Sequence, residues 1–593
     1  MLSTPRTRKA GLGLAVLAIA AAVGLGFVLR LADPLANPVI PAEDPFTHMA
    51  LVKEHLRTGT LDPLYAQGGL YPPGLHAFMA VAWSYSGIDL EQIVLMGPVF
   101  LGAIGVLGMA LLLTRNGGPL AGFVGALALA VAPEAIFRTN MMSPTALDLA
   151  LVPFLLLALV ELLKGKMGWL GVVAPMCLFF VFSHPWLFPI LALTGVVFLV
   201  LAYGLPWSSR RHAPLSTLGV AGAIACIGLG LGLGLSTCGG YCGPGLRDVM
   251  TLPHNGFFDA LPQILMAVSV VPLALLVARP ALRTRVAAWA PTERRPLWLR
   301  IAASAAIAAT LYAVTMPAVQ HGMPEYVDLP KMFGWPILVL AFAMLVALPF
   351  LPSPAAYAGA GIFAATYPYV IYNPLHSPFW PHRTAVFMGI GLVILVGAFA
   401  GAAAHAVAGA WSHFIERRAR KTVPNGTPAV APGRGSHALM LMAVLAVPAF
   451  IGGTVYHETP DGYSGGWYRL YPECEMDALK EVAAKLDADP DAMVMTGDWQ
   501  AKLVIAAFSS DASRVAYKQT FFTIQKSHED TVAQMQHNGR TLLVVVDRYL
   551  TTETPDADTG FLQSEPFHPL GAWCSGGGTG QVRISAYTTG AAQ

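Results

Sequence analysis

The sequence predicts a polytopic α-helical membrane protein of about thirteen transmembrane helices, followed by a small C-terminal α/β domain. Three observations predict it. Of 593 residues, 55% are hydrophobic and 12% charged, about half the charged share of a soluble domain. Apolar stretches long enough to cross a bilayer recur from near the N-terminus to residue 456. Beyond that point amphipathic and strand-like patterns replace them.

The expected spans are 11–31, 94–114, 119–136, 144–163, 168–183, 186–204, 217–236, 258–278, 299–317, 332–351, 355–372, 384–411 and 438–456. Ser183-His184-Pro185-Trp186 splits one long apolar run into the fifth and sixth. The first span has a basic start like a signal peptide. It runs to about twenty apolar residues, however, and no small-residue cleavage site follows before Asp44, so it is expected to be retained. If Arg6, Arg8 and Lys9 are cytoplasmic, basic residues fall on the same side in nearly every alternate connection, from Arg115 to the cluster Arg417, Arg418, Arg420 and Lys421. An odd number of spans then puts the first long loop (32–93) and the C-terminal domain outside the cytoplasm. A net charge of +2 gives no reason to expect a nucleic-acid partner.

Residues 1–456 are thus expected to form the membrane domain and 457–593 the extracytoplasmic one. In the latter, 476–486 reads as an amphipathic helix, 492–496 as a strand, 500–508 as a helix and 541–546 as a β-branched strand. Residues 423–437, rich in Pro and Gly, read as a cytoplasmic linker. Four of the six cysteines fall on the oxidising side, where Cys238 with Cys242 and Cys474 with Cys574 are expected disulfides. A zinc site is the rival reading, but no histidine or further cysteine recurs at ligand spacing.

The first outer loop carries Ala42-Glu43-Asp44-Pro45-Phe46-Thr47-His48-Met49, and later Tyr71-Pro72-Pro73-Gly74. Carboxylates and a histidine at the mouth of a membrane bundle are costly and mark function, calling for a cation or a phosphate. The competing local reading makes Asp44 the N-cap of an Asp-Pro helix start. With this motif, the order of features resembles the GT-C class of membrane glycosyltransferases, in particular the catalytic subunit of oligosaccharyltransferases. One span, an acidic outer loop, about twelve further spans and an outer α/β domain follow one another in both.

That resemblance implies transfer of a sugar or oligosaccharide from a polyprenyl-phosphate or pyrophosphate donor to an extracytoplasmic protein, lipid or cell-envelope glycan, with inversion. Asp44 would hold a divalent metal such as Mg or Mn or orient the acceptor, and His48 would lie at the acceptor. The second acidic motif of the family departs here: Met142-Ser143-Pro144-Thr145-Ala146-Leu147-Asp148 puts Ser143 where a metal ligand should be, leaving Glu134 and Asp148 as candidates. Glu325, in the outer loop 320–328, would position the acceptor. His382 and Arg383, beside Trp380, would hold the donor phosphate, since a guanidinium can bind two phosphate oxygens at once. His184 would line the donor cleft. The family's Trp-Trp-Asp motif is matched only in part by Gly497-Asp498-Trp499, which leaves Asp498 and Trp499 as acceptor candidates and Asp498 equally as a helix cap. The alternatives are a lipid or glycan transporter, for which repeated halves are not seen, and an inactive cell-envelope scaffold, which loss of the second acidic motif favours.

Overall fold

The computed structural model describes residues 5–36, 38–59, 73–163, 166–184, 187–199, 297–321, 327–351, 353–372, 381–422, 473–517, 541–546, 568–573 and 584–588. The first helix, α1 (Pro5–Ala36), is followed in the outer loop by α2 (Asp44–Thr58) and α3 (Gly74–Ser86). Next come α4 (Leu90–Gly117), α5 (Pro119–Val131), α6 (Pro133–Arg138), α7 (Pro144–Leu163), α8 (Leu170–Ser183) and α9 (Leu187–Leu199). Further along lie α10 (Leu297–His321), α11 (Leu329–Phe333), α12 (Trp335–Ala347), α13 (Pro354–Tyr372) and α14 (Pro381–Thr422).

Among the described residues, five helical stretches have the length and apolarity to cross a membrane: Ala15–Ala36, Leu90–Gly117, Pro144–Leu162, Leu297–Gln320 and Thr384–His405. Shorter apolar helices occupy most of the other expected spans, and the break between α8 and α9 falls at Ser183-His184 as expected. Spans 217–236, 258–278 and 438–456 lie outside the described residues, as do Cys238, Cys242 and Cys574. α14 runs 42 residues. At 1.5 Å per residue that is about 63 Å, twice a hydrocarbon core, so its basic end stands clear of the membrane.

The expected span 119–136 is not one helix. Ala132 is extended (φ −63°, ψ 120°), as a residue before proline tends to be, and Pro133 opens the short α6. Pro133 has no N–H for the Leu129 carbonyl four residues back. Arg30 of α1, 1% exposed, fills the break. Its guanidinium donates to the carbonyls of Leu129 (3.3 Å) and Ala130 (3.1 Å), to that of Gly26 (2.9 Å), and to Thr139 Oγ1 (2.5 Å) just beyond α6. In hydrocarbon no water would satisfy those carbonyls.

Small residues let the helices close. An added Cβ on Gly105 of α4 would lie 2.3 Å from the backbone oxygen of Leu149 in α7, and Gly359 of α13 and Gly391 of α14 meet backbone to backbone. One apolar cluster runs through this bundle, from Val106 and Met109 of α4 to Ile390 and Ile394 of α14.

In the C-terminal region α15 (Glu473–Ala488), β1 (Met493–Thr496), α16 (Trp499–Phe508), β2 (Val515–Tyr517), β3 (Thr541–Val546), β4 (His568–Trp573) and β5 (Ile584–Thr588) form a small α/β unit. Its sheet has the order β2-β1-β3-β5-β4. β1 pairs in parallel with β2 and β3 (Val494 opposite Val515 and Leu542), while β5 runs antiparallel to β3 and β4. The register shifts between Pro569 and Gly571, where proline lacks a ladder donor. Cys474 is disulfide-bonded. Its helix packs on β4, whose last residue precedes its expected partner, Cys574.

This unit does not stand apart. A second apolar cluster joins Phe46, Met49 and Val52 of α2, Leu75 and Met79 of α3 and Met142, Ala146 and Leu147 around the start of α7 to Leu479 and Val482 of α15 and Val504 and Ile505 of α16. The first outer loop and the C-terminal unit therefore share a core and lie on one side of the membrane.

Because the oxygen facing Gly105 belongs to backbone, Gly105→Ala should lower stability by about 1–3 kcal/mol. Gly24→Ala, which projects into open space on α1, should leave it unchanged. Thermal midpoints of the two purified variants in detergent provide the check.

Candidate active site

The acidic loop enters α2 through Ala42, whose φ of 63° is left-handed and uncommon for a residue with a side chain. Ala42 is held there by packing on Phe137 and Met141, which brings the start of α2 against the α6–α7 segment. Asp44 is the first helical residue rather than the cap, and it is half-buried. The cap position belongs to Glu43, whose side chain makes no capping bond and instead accepts from Gln500 Nε2 of α16 at 2.9 Å. The cap reading of Asp44 is thereby corrected. Its carboxylate sits at the positive end of α2, where negative charge is favoured.

Further contacts hold the C-terminal unit on this loop. Phe46 and Phe508 meet at a tilt of 57° with ring centroids 6.3 Å apart, Lys53 Nζ donates to the Ser509 carbonyl at 3.3 Å, and Lys480 pairs with Glu91 at 2.7 Å. Asp498 caps α16, accepting from Gln500 N–H at 2.8 Å, as its strand-to-helix position predicts. Trp499 is 38% exposed beside it.

On the α6–α7 side, Glu134 is buried and paired with Arg138 at 2.8 Å. It borders a cavity of about 10 Å³ lined by Leu129, Leu149, Phe333 and Val393, room for one water. Asn140, also buried, has no hydrogen-bond partner for either amide atom among the described residues. Asp148 is fully buried in the first turns of α7, and one of its oxygens bonds His184 Nδ1 at the end of α8. The His184 ring stacks on Phe387 of α14, centroids 5.9 Å apart and 21° between planes. Arg383 lies four residues, about one turn, before Phe387 in the same helix. The structure thus joins two residues that the sequence reading kept apart, Asp148 and His184, and the carboxylate fixes the orientation of the ring.

His48, expected at the acceptor, faces a histidine instead of solvent. It is fully buried, its Nδ1 2.9 Å from His76 Nε2, with the His55 ring 5.5 Å from that of His76. Burial first, and then the neighbouring His48 and His55, holds His76 well below the usual 6.5.

Glu325 and the side chains of His382 and Arg383 lie outside the described residues. Among the described residues no three His, Cys, Asp or Glu side chains form a metal-ligating group. Glu134 and Asp148 are each engaged with a base and are not brought together with Asp44 as a ligand set. The described residues therefore do not assemble that ligand set. Sequence reasoning passed over Arg30, His76, Asn140 and Lys502. A lone arginine in an otherwise apolar first span was the available signal for Arg30, while nothing local marks the others.

Fold and site together define a polytopic helical membrane protein in which an acidic loop is closed over by a C-terminal α/β unit. The chain is similar in structure to the archaeal oligosaccharyltransferase AglB from Archaeoglobus fulgidus in complex with an inhibitory peptide and a dolichol-phosphate. The TM-score is 0.53 at 12% identity, over 90% of this chain and 70% of that one. A structure of the Archaeoglobus fulgidus oligosaccharyltransferase complexed with Zn and sulfate gives 0.53 at 14% identity, over 92% and 70%. ArnT from Cupriavidus metallidurans in the apo state aligns over 98% and 99% of the two chains at 12% identity and a TM-score of 0.46, and nothing is inferred from it. No family model matches the sequence, and no curated protein matches it.

A neutral buried His76 makes the loop acid-sensitive. The unfolded chain takes up a proton there below pH 6.5 and the folded one resists it, so the stability it supports is complete above 6.5 and is lost as pH falls toward the lower folded value. Melting curves recorded stepwise below pH 6.5 should show this fall, and His76→Gln should flatten it.

Proposed function

We propose that this chain is a membrane glycosyltransferase that moves a sugar or oligosaccharide from a polyprenyl-phosphate or pyrophosphate donor to an extracytoplasmic protein, lipid or glycan. The observation that carries this reading is the Ala42 turn, which sets Asp44 against the α6–α7 segment in a fold shared with an oligosaccharyltransferase. The Archaeoglobus fulgidus enzyme in complex with a dolichol-phosphate supports the donor class.

Asp44 orients the acceptor nucleophile and takes its proton as that group attacks the anomeric carbon. The bond from that carbon to the phosphate oxygen breaks, and the phosphate leaves with the electron pair; a single displacement of this kind inverts the centre. Positive charge must meet the departing phosphate. His184, its ring fixed through Nδ1 by Asp148, presents Nε2 to the phosphate as a hydrogen-bond donor, and Arg383, a turn from Phe387, supplies the positive charge. No step passes through a metal. On this reading the N-terminus is cytoplasmic, residues 1–456 form the membrane domain and 457–593 the outer domain, with Trp499 and Asp498 on the acceptor side and Glu325 positioning the acceptor. The pairing of Glu134 and Asp148 with bases favours a second reading, an inactive scaffold of the same fold.

Sugar transfer from a labelled polyprenyl-phosphate donor in proteoliposomes tests this. Asp44→Asn should reduce the rate by about 100-fold or more with an unchanged melting midpoint. His184→Gln should cost about 10-fold or more. Full transfer by Asp44→Asn rules out the catalytic role given to Asp44, and no transfer by the wild type favours the scaffold.

A further inference from the structure

In the linker between α6 and α7, every side chain but one has a visible task. Thr139 accepts from Arg30, Met141 packs with Phe137 on the Ala42 turn, Met142 Cε sits over Gly97 of α4, and Ser143 Oγ accepts from the Ala146 N–H at 3.3 Å. Asn140 is the exception. It is 3% exposed, and among the described residues neither its Oδ1 nor its Nδ2 has a hydrogen-bond partner. A carboxamide brings two donor hydrogens and two acceptor lone pairs. Leaving all of them unpaired in an interior is costly, and native interiors seldom do it. Such a group persists where a ligand supplies the missing bonds.

The place of the linker points to the ligand. Through Met141 it bears on the turn before Asp44, and it leads into α7, whose first turns carry Asp148 with its partner His184. Where Asp44 serves the acceptor and His184 the leaving phosphate, the sugar in transit lies between the two. A phosphate only accepts and would leave Oδ1 unpaired, while a metal ion would leave Nδ2 unpaired. Neighbouring hydroxyls of a sugar ring both donate and accept, which meets the two ends of the amide together. We propose that Asn140 binds a pair of neighbouring hydroxyls on the sugar of the polyprenyl-linked donor, Oδ1 accepting from one and Nδ2 donating to the other, and so selects which sugar is transferred. This rests on the reading of the chain as a glycosyltransferase with its acceptor at Asp44 and its donor phosphate at His184. The amide is covered in this structure, so the linker gives way as the sugar enters. The joint is the contact of Met141 with Ala42, whose left-handed backbone is itself costly to hold.

The test is calorimetric binding to the purified full chain in detergent, with farnesyl phosphate and with farnesyl-phosphoryl mannose, glucose and arabinose as probes. The wild type should bind one of the sugar probes about 10-fold more tightly than farnesyl phosphate, the scale of two neutral hydrogen bonds. Asn140→Leu should abolish that preference and leave farnesyl phosphate binding unchanged. It should also raise the melting midpoint of the unliganded protein by about 2 °C, since an apolar group of similar size replaces an unpaired amide. A purely structural asparagine would shift the midpoint the other way. Asn140→Ala adds no bulk and gives the same binding comparison where Asn140→Leu does not fold. Equal affinity of the wild type for all the probes, a sugar preference retained in both variants, as when the amide holds only water, or a folded Asn140→Leu with a lower melting midpoint overturns the subsite. Loss of farnesyl phosphate affinity in the variants assigns the amide to the phosphate, and weaker binding of free mannobiose with the donor preference intact assigns it to the acceptor; either overturns the assignment to the donor sugar. Asp44→Asn should bind the probes like the wild type, and binding of none of them by the wild type counts against the glycosyltransferase reading itself, so the two failures give different results.

Discussion

The arrangement depends on Arg30. A guanidinium buried in the first span without a carboxylate partner among the described residues would be prohibitive by itself. It is tolerated because the chain meets it with carbonyls that need a donor: Leu129 and Ala130, freed where Pro133 interrupts the helix. Each defect satisfies the other. Through Thr139 the same side chain also fixes the segment beyond α6, against which the strained Ala42 turn is packed. The geometry around Asp44 is thus set from inside the bundle rather than by the loop's own preferences.

Charge near the site is handled by two different means. Within the bundle, Glu134 pairs with Arg138 and Asp148 hydrogen-bonds His184, and these contacts join neighbouring turns and helices. At the outer surface, Glu43, Lys53, Glu91 and Lys480 use side-chain and backbone partners to hold the C-terminal unit on the loop. Lys502 belongs to neither set and lies over the Trp499 ring, 4.4 Å from its centroid.

Much of the fold was legible in the sequence because its signals are local. Span lengths, the Ser183-His184 break, α15, α16, β1 and β3 follow from hydrophobic period, proline and β-branched runs. Where proline acts against an apolar run, as at Pro133, the helix ends earlier than hydropathy alone suggests. The site was legible only in part. Asp44 stood out as an acidic residue beside a span, but the pairing of Asp148 with His184 links residues 36 apart on two helices, and no local pattern encodes it. His48 illustrates the converse. Its spacing from Asp44 suggested a shared role, yet the helix turns it inward, toward His76, and leaves Asp44 at the entrance.

The bond between Gln500 and Glu43 joins residues 457 positions apart. During synthesis the loop around Asp44 emerges long before the helices Glu473–Ala488 and Trp499–Phe508 that complete its core, and it must remain without its apolar cover until they are made. Assembly of this kind carries a large loop-closure cost and exposes hydrophobic surface meanwhile. A product stopped before residue 473 would therefore leave the apolar face of this loop uncovered.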